Sequence, residues 1–427
     1  MKNYHQRIAD SLLNFKLHSK GAVLIEGPKW CGKTTTALQI AKSSILMQDQ
    51  DNLKDYLELA QIRPSALLQG ETPHLIDEWQ VAPQLFDAIR YEIDKRDEFG
   101  QFILTGSATP YDISKINHTG TGRISRMTMR TMSLFESGES NGTVSLKEIF
   151  DGNTEVEGTS NIDLSELSYL ICRGGWPKVV DIKDQRIALQ QAIDYYDGVI
   201  NSDISRVDDI KRDPNRAARV LRSYARNIAS QAKLSSITQD IKSNEEINFS
   251  DDTVSSYIKA LKSIFVIEDS NSWNPNLRSK AAIRTTDTRY FLDPSIACAA
   301  LGIGPQDLEN DLNTFGLLFE NLVVRDLRIY ADAIDGKVYH YRDNLDLECD
   351  AVVHLRNGKY GLIEVKLGGE KLISEGIKSL NTSVKEMYKA GNTLVGNNKT
   401  LDGAADELIK NSKVIDKNSE KITSGSR

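Results

Sequence analysis

The residues best suited to chemistry stand together near the start of the chain. Gly27, Gly32, Lys33 and Thr34 have the spacing G-x-x-x-x-G-K-[ST], within Gly27-Pro28-Lys29-Trp30-Cys31-Gly32-Lys33-Thr34-Thr35. Glycines at these two places let the backbone curl into a cup of N–H groups at a helix N-terminus, where an anion is favoured. Lys33 would then reach the β and γ phosphates of a nucleotide, and the Thr34 hydroxyl would ligate Mg²⁺. The nine residues from Gly27 to Thr35 are the expected cofactor set for ATP. A chance match is the plainer reading, and the strand before and helix after speak against it.

Three further groups bear on the same reaction. His74-Leu75-Ile76-Asp77-Glu78 is an apolar stretch ending in two carboxylates. Hydrolysis needs both a partner for the metal's charge, here Asp77, and a base to polarise the attacking water, here Glu78. The alternative is an acidic helix cap. Gln101 to Ser107 is a second such stretch, and Thr105 and Ser107 at its end are placed to sense a γ-phosphate or to make an ordinary strand exit. Arg123 and Arg126 are candidates for completing a neighbouring subunit's site as arginine fingers, or else are solvated, structural arginines.

A second constellation lies in the last third. Asp350 stands in Leu347-Glu348-Cys349-Asp350-Ala351-Val352-Val353, and Glu364 and Lys366 end Tyr360 to Lys366 after an Asn357-Gly358 turn. Residues two apart on a strand share a face, so Glu364 and Lys366 should project together. An acid on one strand and E-x-K on its partner is the arrangement of PD-(D/E)XK nucleases, with Glu320 supplied by the preceding helix. In that reading Asp350, Glu364 and Glu320 bind Mg²⁺ through hard oxygens, and Lys366 orients or activates the water attacking a phosphodiester. The competing reading is a nuclease-like fold kept for binding or assembly, with these charges in a structural cluster.

These groups need elements to hold them. Ala22 to Glu26, Ser44 to Met47, His74 to Glu78 and Gln101 to Ser107 read as short buried strands. Helices fall between them, and a further helix covers much of residues 1 to 20. Such alternation predicts a parallel sheet covered on both faces, with its phosphate site at the carboxyl ends of the strands. The middle of the chain is mostly helical. There Ser235-Ile237-Ile241 and a helix capped by Ser250, followed by a strand at Phe265 to Glu268, outline a winged helix-turn-helix. Its second helix offers a poor phosphate-binding face. Arg216, Arg219, Arg222 and Arg226 form a basic stripe, open to phosphates or simply to solvent.

With 427 residues, 40% hydrophobic and 26% charged, and a formal charge of −7, the chain reads as several globular domains with no overall attraction to nucleic acid. Contact with DNA would have to be local. Four scattered cysteines argue against a zinc site or a disulfide framework and suit a reducing cytoplasm. No apolar run suggests a membrane span.

Taken together, GPKWCGKTT, LIDEWQ, FILTGSA and GRISRMTMRTMSLFESGES resemble a large group of mostly uncharacterised prokaryotic AAA+ ATPases with a C-terminal region of unknown function. The resemblance implies an ATPase that works as a homo-oligomer, followed by a winged-helix form. It also implies that the Gly174-Gly175-Trp176-Pro177 turn seats one domain on the next. One departure is Thr-Gly-Ser at the strand end, where many AAA+ proteins carry Asn. The expected architecture is α/β overall: an ATPase domain over 1–137, a linker over 138–160, a helical or winged-helix region over 161–275, a PD-(D/E)XK-like domain over 276–396 and a polar tail over 397–427.

Overall fold

The structure, a computed structural model, describes residues 4–107, 120–153, 160–208, 210–244, 249–274, 286–342, 347–368 and 370–392. The N-terminal unit comprises strands β1 (Ala22–Glu26), β2 (Ser43–Leu46), β3 (His74–Asp77), β4 (Phe102–Gly106) and β5 (Ile124–Thr128), with helices α1 (Ile8–Leu17), α2 (Lys33–Ile40), α3 (Leu53–Ile62) and α4 (Leu85–Arg96). The strands form one parallel sheet in the order β2-β3-β4-β1-β5. Alternation assigns their side chains to two cores. Ala22, Leu24, Ile76, Phe102 and Leu104 pack with Trp79, Phe86 and Ile89 on one face. Val23, Ile25, Leu75, Ile103 and Met127 pack with Leu13, Leu17 and Ala37 on the other. The register matches Glu26 with Gly106 and Leu46 with Asp77, so the segments leaving β1, β3 and β4 emerge at one end of the sheet.

Beyond it run α5 (Leu146–Asp151), α6 (Leu164–Arg173), α7 (Pro177–Val180), α8 (Gln185–Asn201), α9 (Pro214–Arg226), α10 (Leu234–Asn244) and α11 (Asp251–Ser263). Next come α12 (Pro294–Leu301), α13 (Pro305–Asn310) and α14 (Leu312–Asp332). Side chains from α6 to the first half of α14, ending with Phe315, Leu318 and Leu322, share one core, so the helical unit extends well past residue 275. Ser250 caps α11 by accepting from the Thr253 N–H. Phe265–Glu268 does not form a strand: Phe265 has φ 60°, and the segment carries only the isolated bridge Ile267–Phe291. A left-handed residue at that point turns the chain out of the extended geometry a wing would need.

The C-terminal unit is an antiparallel sheet, β6 (Gly336–Arg342), β7 (Glu348–Leu355) and β8 (Tyr360–Ile363), followed by α15 (Glu370–Asn392). Gly358, at φ 88°, makes the turn after β7. The strand expected to reach Lys366 stops at Ile363. Its ladder ends because the Val365 N–H donates to Asp350 Oδ2 at 2.6 Å, a side chain replacing the neighbouring backbone. The tail from 397 lies outside the described residues, and among those that are described no helix is long and apolar enough to cross a membrane.

Candidate functional site

The first loop after β1 takes its shape from left-handed residues and one buried arginine. Trp30 and Gly32 sit at φ 68° and 100°, the latter directly before α2. A side chain at Gly27 would put a Cβ 2.1 Å from the Met129 carbonyl oxygen, so only glycine lets the loop lie against the end of β5. Arg7 clamps the loop from below. Its guanidinium donates to Cys31 O at 2.8 Å and Arg130 O at 2.9 Å, and pairs with Glu136 at 3.1 Å. Glu136 in turn accepts from the backbone N–H groups of Ile8 and Ser133. Pro28 and Cys31 are buried, Lys29 and Trp30 project outward, and Thr35 is exposed on the first turn of α2.

Lys33 folds back into this loop, donating to Gly27 O at 3.0 Å and Pro28 O at 2.7 Å. Beside it the Thr34 hydroxyl donates to Asp77 Oδ1 at 2.5 Å, although 43 residues separate the two. Thr105 donates to the same oxygen at 2.6 Å, and Gln48 donates to Oδ2 at 2.8 Å. Asp77 is fully buried. A hydroxyl and a carboxylate oxygen facing each other at the end of a phosphate-binding loop are the hard donors that Mg²⁺ takes, so Thr34 and Asp77 fit that ion.

Glu78, at φ 54°, leaves β3 in the left-handed region, and its N–H donates to Thr105 Oγ1 at 3.2 Å. Its carboxylate accepts from Ser107 Oγ at 3.1 Å and from the Gln80 amide. Thr105 therefore braces both acids, while Ser107 holds only Glu78. Neither Gln48 nor Gln80 carried any signal in the sequence, since a glutamine in a loop has no fixed spacing to the motif it serves.

The helical unit closes over the loop. Lys29 pairs with Asp203 at 2.5 Å, the Trp30 ring lies 6.4 Å from that of Tyr195, and a Cβ on Gly32 would meet Pro177 at 3.5 Å. A small cavity of about 60 Å³ is lined by Lys29, Ser107, Tyr195, Asp203 and Arg206. The seat is the Gly174 to Pro177 turn. Gly175 O accepts from Met132 N at 2.6 Å, its N–H donates to Asp293 at 3.0 Å, and Trp176 Nε1 donates to Ser295 at 3.1 Å.

Arg123 and Arg126 stand apart from this site. Arg123 precedes β5, whose first residue pairs with Ala22, so it lies at the opposite end of the sheet from the loop and bonds Asp94 at 2.5 Å. Arg126 pairs with Glu26 at 2.7 Å. Neither reaches the phosphate cradle of its own chain. Of the basic stripe, Arg226 pairs with Asp240 at 2.5 Å and Arg216 covers the Phe249 ring at 5.2 Å.

In the C-terminal unit Lys366 Nζ lies 2.8 Å from Glu364 Oε1 and 3.5 Å from Asp350 Oδ2. Glu320 accepts from the Tyr290 hydroxyl at 2.5 Å. Burial, then the charge of Asp350, raises the Glu320 carboxyl to about 8 and pushes Glu364 upward as well. Burial opposes the charge on Lys366, but its bond to Glu364 and the charges of Asp350 and Glu364 outweigh this and hold its pKa up. Asp350 and Glu364, two of the three expected metal ligands, both face Lys366, while Glu320 faces Tyr290. Among the described residues no three His, Cys, Asp or Glu side chains are gathered to hold an ion. The ammonium of Lys366 and the Val365 N–H contact the Asp350 and Glu364 carboxylates, while Glu364 Oε2 is buried without a hydrogen-bond partner among the described residues.

Comparison with known proteins agrees with the N-terminal geometry. Residues 19–137 match the family model described as an AAA domain. Residues 164–307 and 315–411 match two models described as domains of unknown function, DUF8612 and DUF4143. Uncharacterized proteins of Mycobacterium tuberculosis and Mycobacterium bovis are each 23% identical over 380 residues, covering 88% of this chain and 76% of the relative. A Walker-type ATPase of Pyrococcus abyssi is similar over 70% of this chain and 96% of its own, with 14% identity and a TM-score of 0.45. The chain thus carries an AAA domain of the P-loop ATPase kind, joined to two domains whose roles are unassigned.

Proposed function

We propose that this chain binds ATP with Mg²⁺ at the end of its parallel sheet and hydrolyses it, and that the helical unit seated on the loop responds to the nucleotide. The observation that carries this reading is the approach of Thr34 to Asp77 at 2.5 Å beside the buried Lys33 ammonium. Bound Mg²⁺ would neutralise phosphate charge, held by Thr34 and Asp77. Lys33 would exchange the carbonyls of Gly27 and Pro28 for phosphate oxygens, a stronger, charge-assisted pairing. Glu78 would take the proton of the attacking water, with Ser107 and Gln80 fixing its carboxylate. The four cysteines are free and buried, in keeping with a reducing cytoplasm.

Replacing Lys33 with Ala should abolish ATP binding in isothermal titration, because the phosphate charge loses its partner. Unchanged affinity and turnover would sink the assignment.

A second reading has its own observation. The orphaned Glu364 Oε2, beside Asp350 and Lys366, is an oxygen that a divalent ion would satisfy, which favours a nuclease-like centre acting on DNA. The first reading instead makes the C-terminal unit a binding or assembly scaffold. Nicking of plasmid DNA by the purified protein with Mn²⁺, lost in Glu364→Gln, would establish the nuclease. Intact plasmid would leave the scaffold.

A further inference from the structure

The sheet of the AAA domain ends on one side in β5, whose outer edge has no partner strand among the described residues. Two backbone bonds set its parity: Ala22 N donates to Arg123 O at 3.2 Å, and Met129 N donates to Glu26 O at 2.7 Å. In a parallel ladder alternate residues bond the same neighbour, so Arg123, Ser125, Met127 and Met129 turn their peptide groups toward β1. Arg126 and Thr128 turn theirs outward, and among the described residues neither finds a backbone or side-chain partner. This edge opens on a cleft of about 750 Å³ between the AAA domain and the C-terminal sheet.

The charge lining that cleft is uneven once internal pairs are set aside. Arg130 holds Glu268 and Asp332 at 2.6 Å each, and Lys262 and Arg289 hold Asp269 at 2.6 and 2.7 Å. Lys337 and Arg356, both exposed on the far wall, meet no acid among the described residues, and Lys16 on the near wall bonds only the Ser125 hydroxyl at 3.3 Å. The surplus is positive, with Asp335 the acid left to set against it.

We infer that this cleft docks an extended acidic segment of a partner protein, added as a strand to the open edge of β5. A peptide backbone offers donors and acceptors in alternation, which is what the outward N–H and C=O groups of Arg126 and Thr128 require. A nucleic-acid backbone offers acceptors alone and would leave those carbonyls bare, so the edge favours peptide over DNA although both are drawn to the same cations. Acidic side chains on alternate residues share one face and would meet Lys337 and Arg356 on the far wall.

The test uses the full chain and a capped ten-residue peptide of alternating Glu and Val. Hydrogen exchange at the Arg126 and Thr128 amides, fast in the free protein, should slow by about tenfold or more when this peptide saturates the cleft. The same peptide N-methylated at alternate residues should give no such slowing, and a Lys-Val peptide should bind at least about tenfold more weakly. Reversing both wall charges, Lys337→Glu with Arg356→Glu, should weaken the acidic peptide by a similar factor and leave ATP turnover unchanged. Three results would overturn the proposal. These are binding of a ten-nucleotide thymidine strand in place of the peptide, equal binding by the charge-reversed protein, and amides that stay fast with every peptide, in which case the cations only guard the edge against pairing.

Discussion

Glu78 shows how much a single side chain depends on its neighbours. Its backbone is left-handed, which costs a non-glycine residue on the order of 1 kcal/mol or more, and Thr105 secures it through its N–H. The Glu78 carboxylate bonds Ser107 and Gln80 while that of Asp77 bonds Thr34, Thr105 and Gln48, so two adjacent acids have separate sets of partners. Changing Glu78 to Gln keeps its volume and removes the base. ATP affinity should therefore hold in titration while turnover falls by roughly a hundredfold or more. Hydrolysis at the parent rate would move the water-activating role to another residue.

At the scale of elements, the turn before α7 joins the units. Gly175 binds through both its N–H and C=O, to Asp293 and Met132, and a Cβ there would stand 2.0 Å from Met132 O. Because that obstacle is backbone, it cannot swing aside. Gly175→Ala should thus destabilise the protein by about 2 kcal/mol or more, read as a lowered urea midpoint. Its effect should extend to the nucleotide site, because the same turn positions Pro177 beside Gly32. A variant of parent stability and parent ATP affinity would show that the turn has room the structure does not give it.

Across the whole molecule, ion pairs tie the AAA domain to the helical unit and to α14. Arg130, from the strand exit of the AAA domain, meets Glu268 from the helical unit and Asp332 at the end of α14. Arg325 meets Asp293 at 3.0 Å and also binds Asp326, which accepts from Leu134 N. Burial alone would raise the Glu268 carboxyl, but the charges of Arg130 and Arg328 outweigh it and lower it to about 2. A carboxyl depressed by folding contributes stability above its unfolded value, near 4.5, and that contribution is lost as pH falls toward the folded value. Stability should therefore decline between about pH 4.5 and 2 with a Glu268 component on the order of 1 to 2 kcal/mol, allowing for the side chain's 26% exposure. Glu268→Gln should flatten that decline in urea titrations taken across the range. An identical slope would place the acid sensitivity of the junction elsewhere.

What the sequence determined by itself was everything carried by short periods and fixed spacings. Gly27 to Thr34 implies a loop before a helix, alternating apolar strands imply the parallel α/β sheet, and Ser250 marks the start of α11. These are local, because the backbone conformation, the burial of one face and the capping bond involve residues within a few positions of one another. Tertiary structure alone decided what meets across long separations: Arg7 beneath Cys31, Thr34 against Asp77, Lys29 on Asp203, and Gln48 and Gln80 on the two acids. It also decided that β8 stops at Ile363, since the Asp350 carboxylate captures the next backbone N–H, and that Phe265 turns where a strand was expected. No periodicity records such events, because each is a competition between a local preference and a partner that only the folded chain brings within reach.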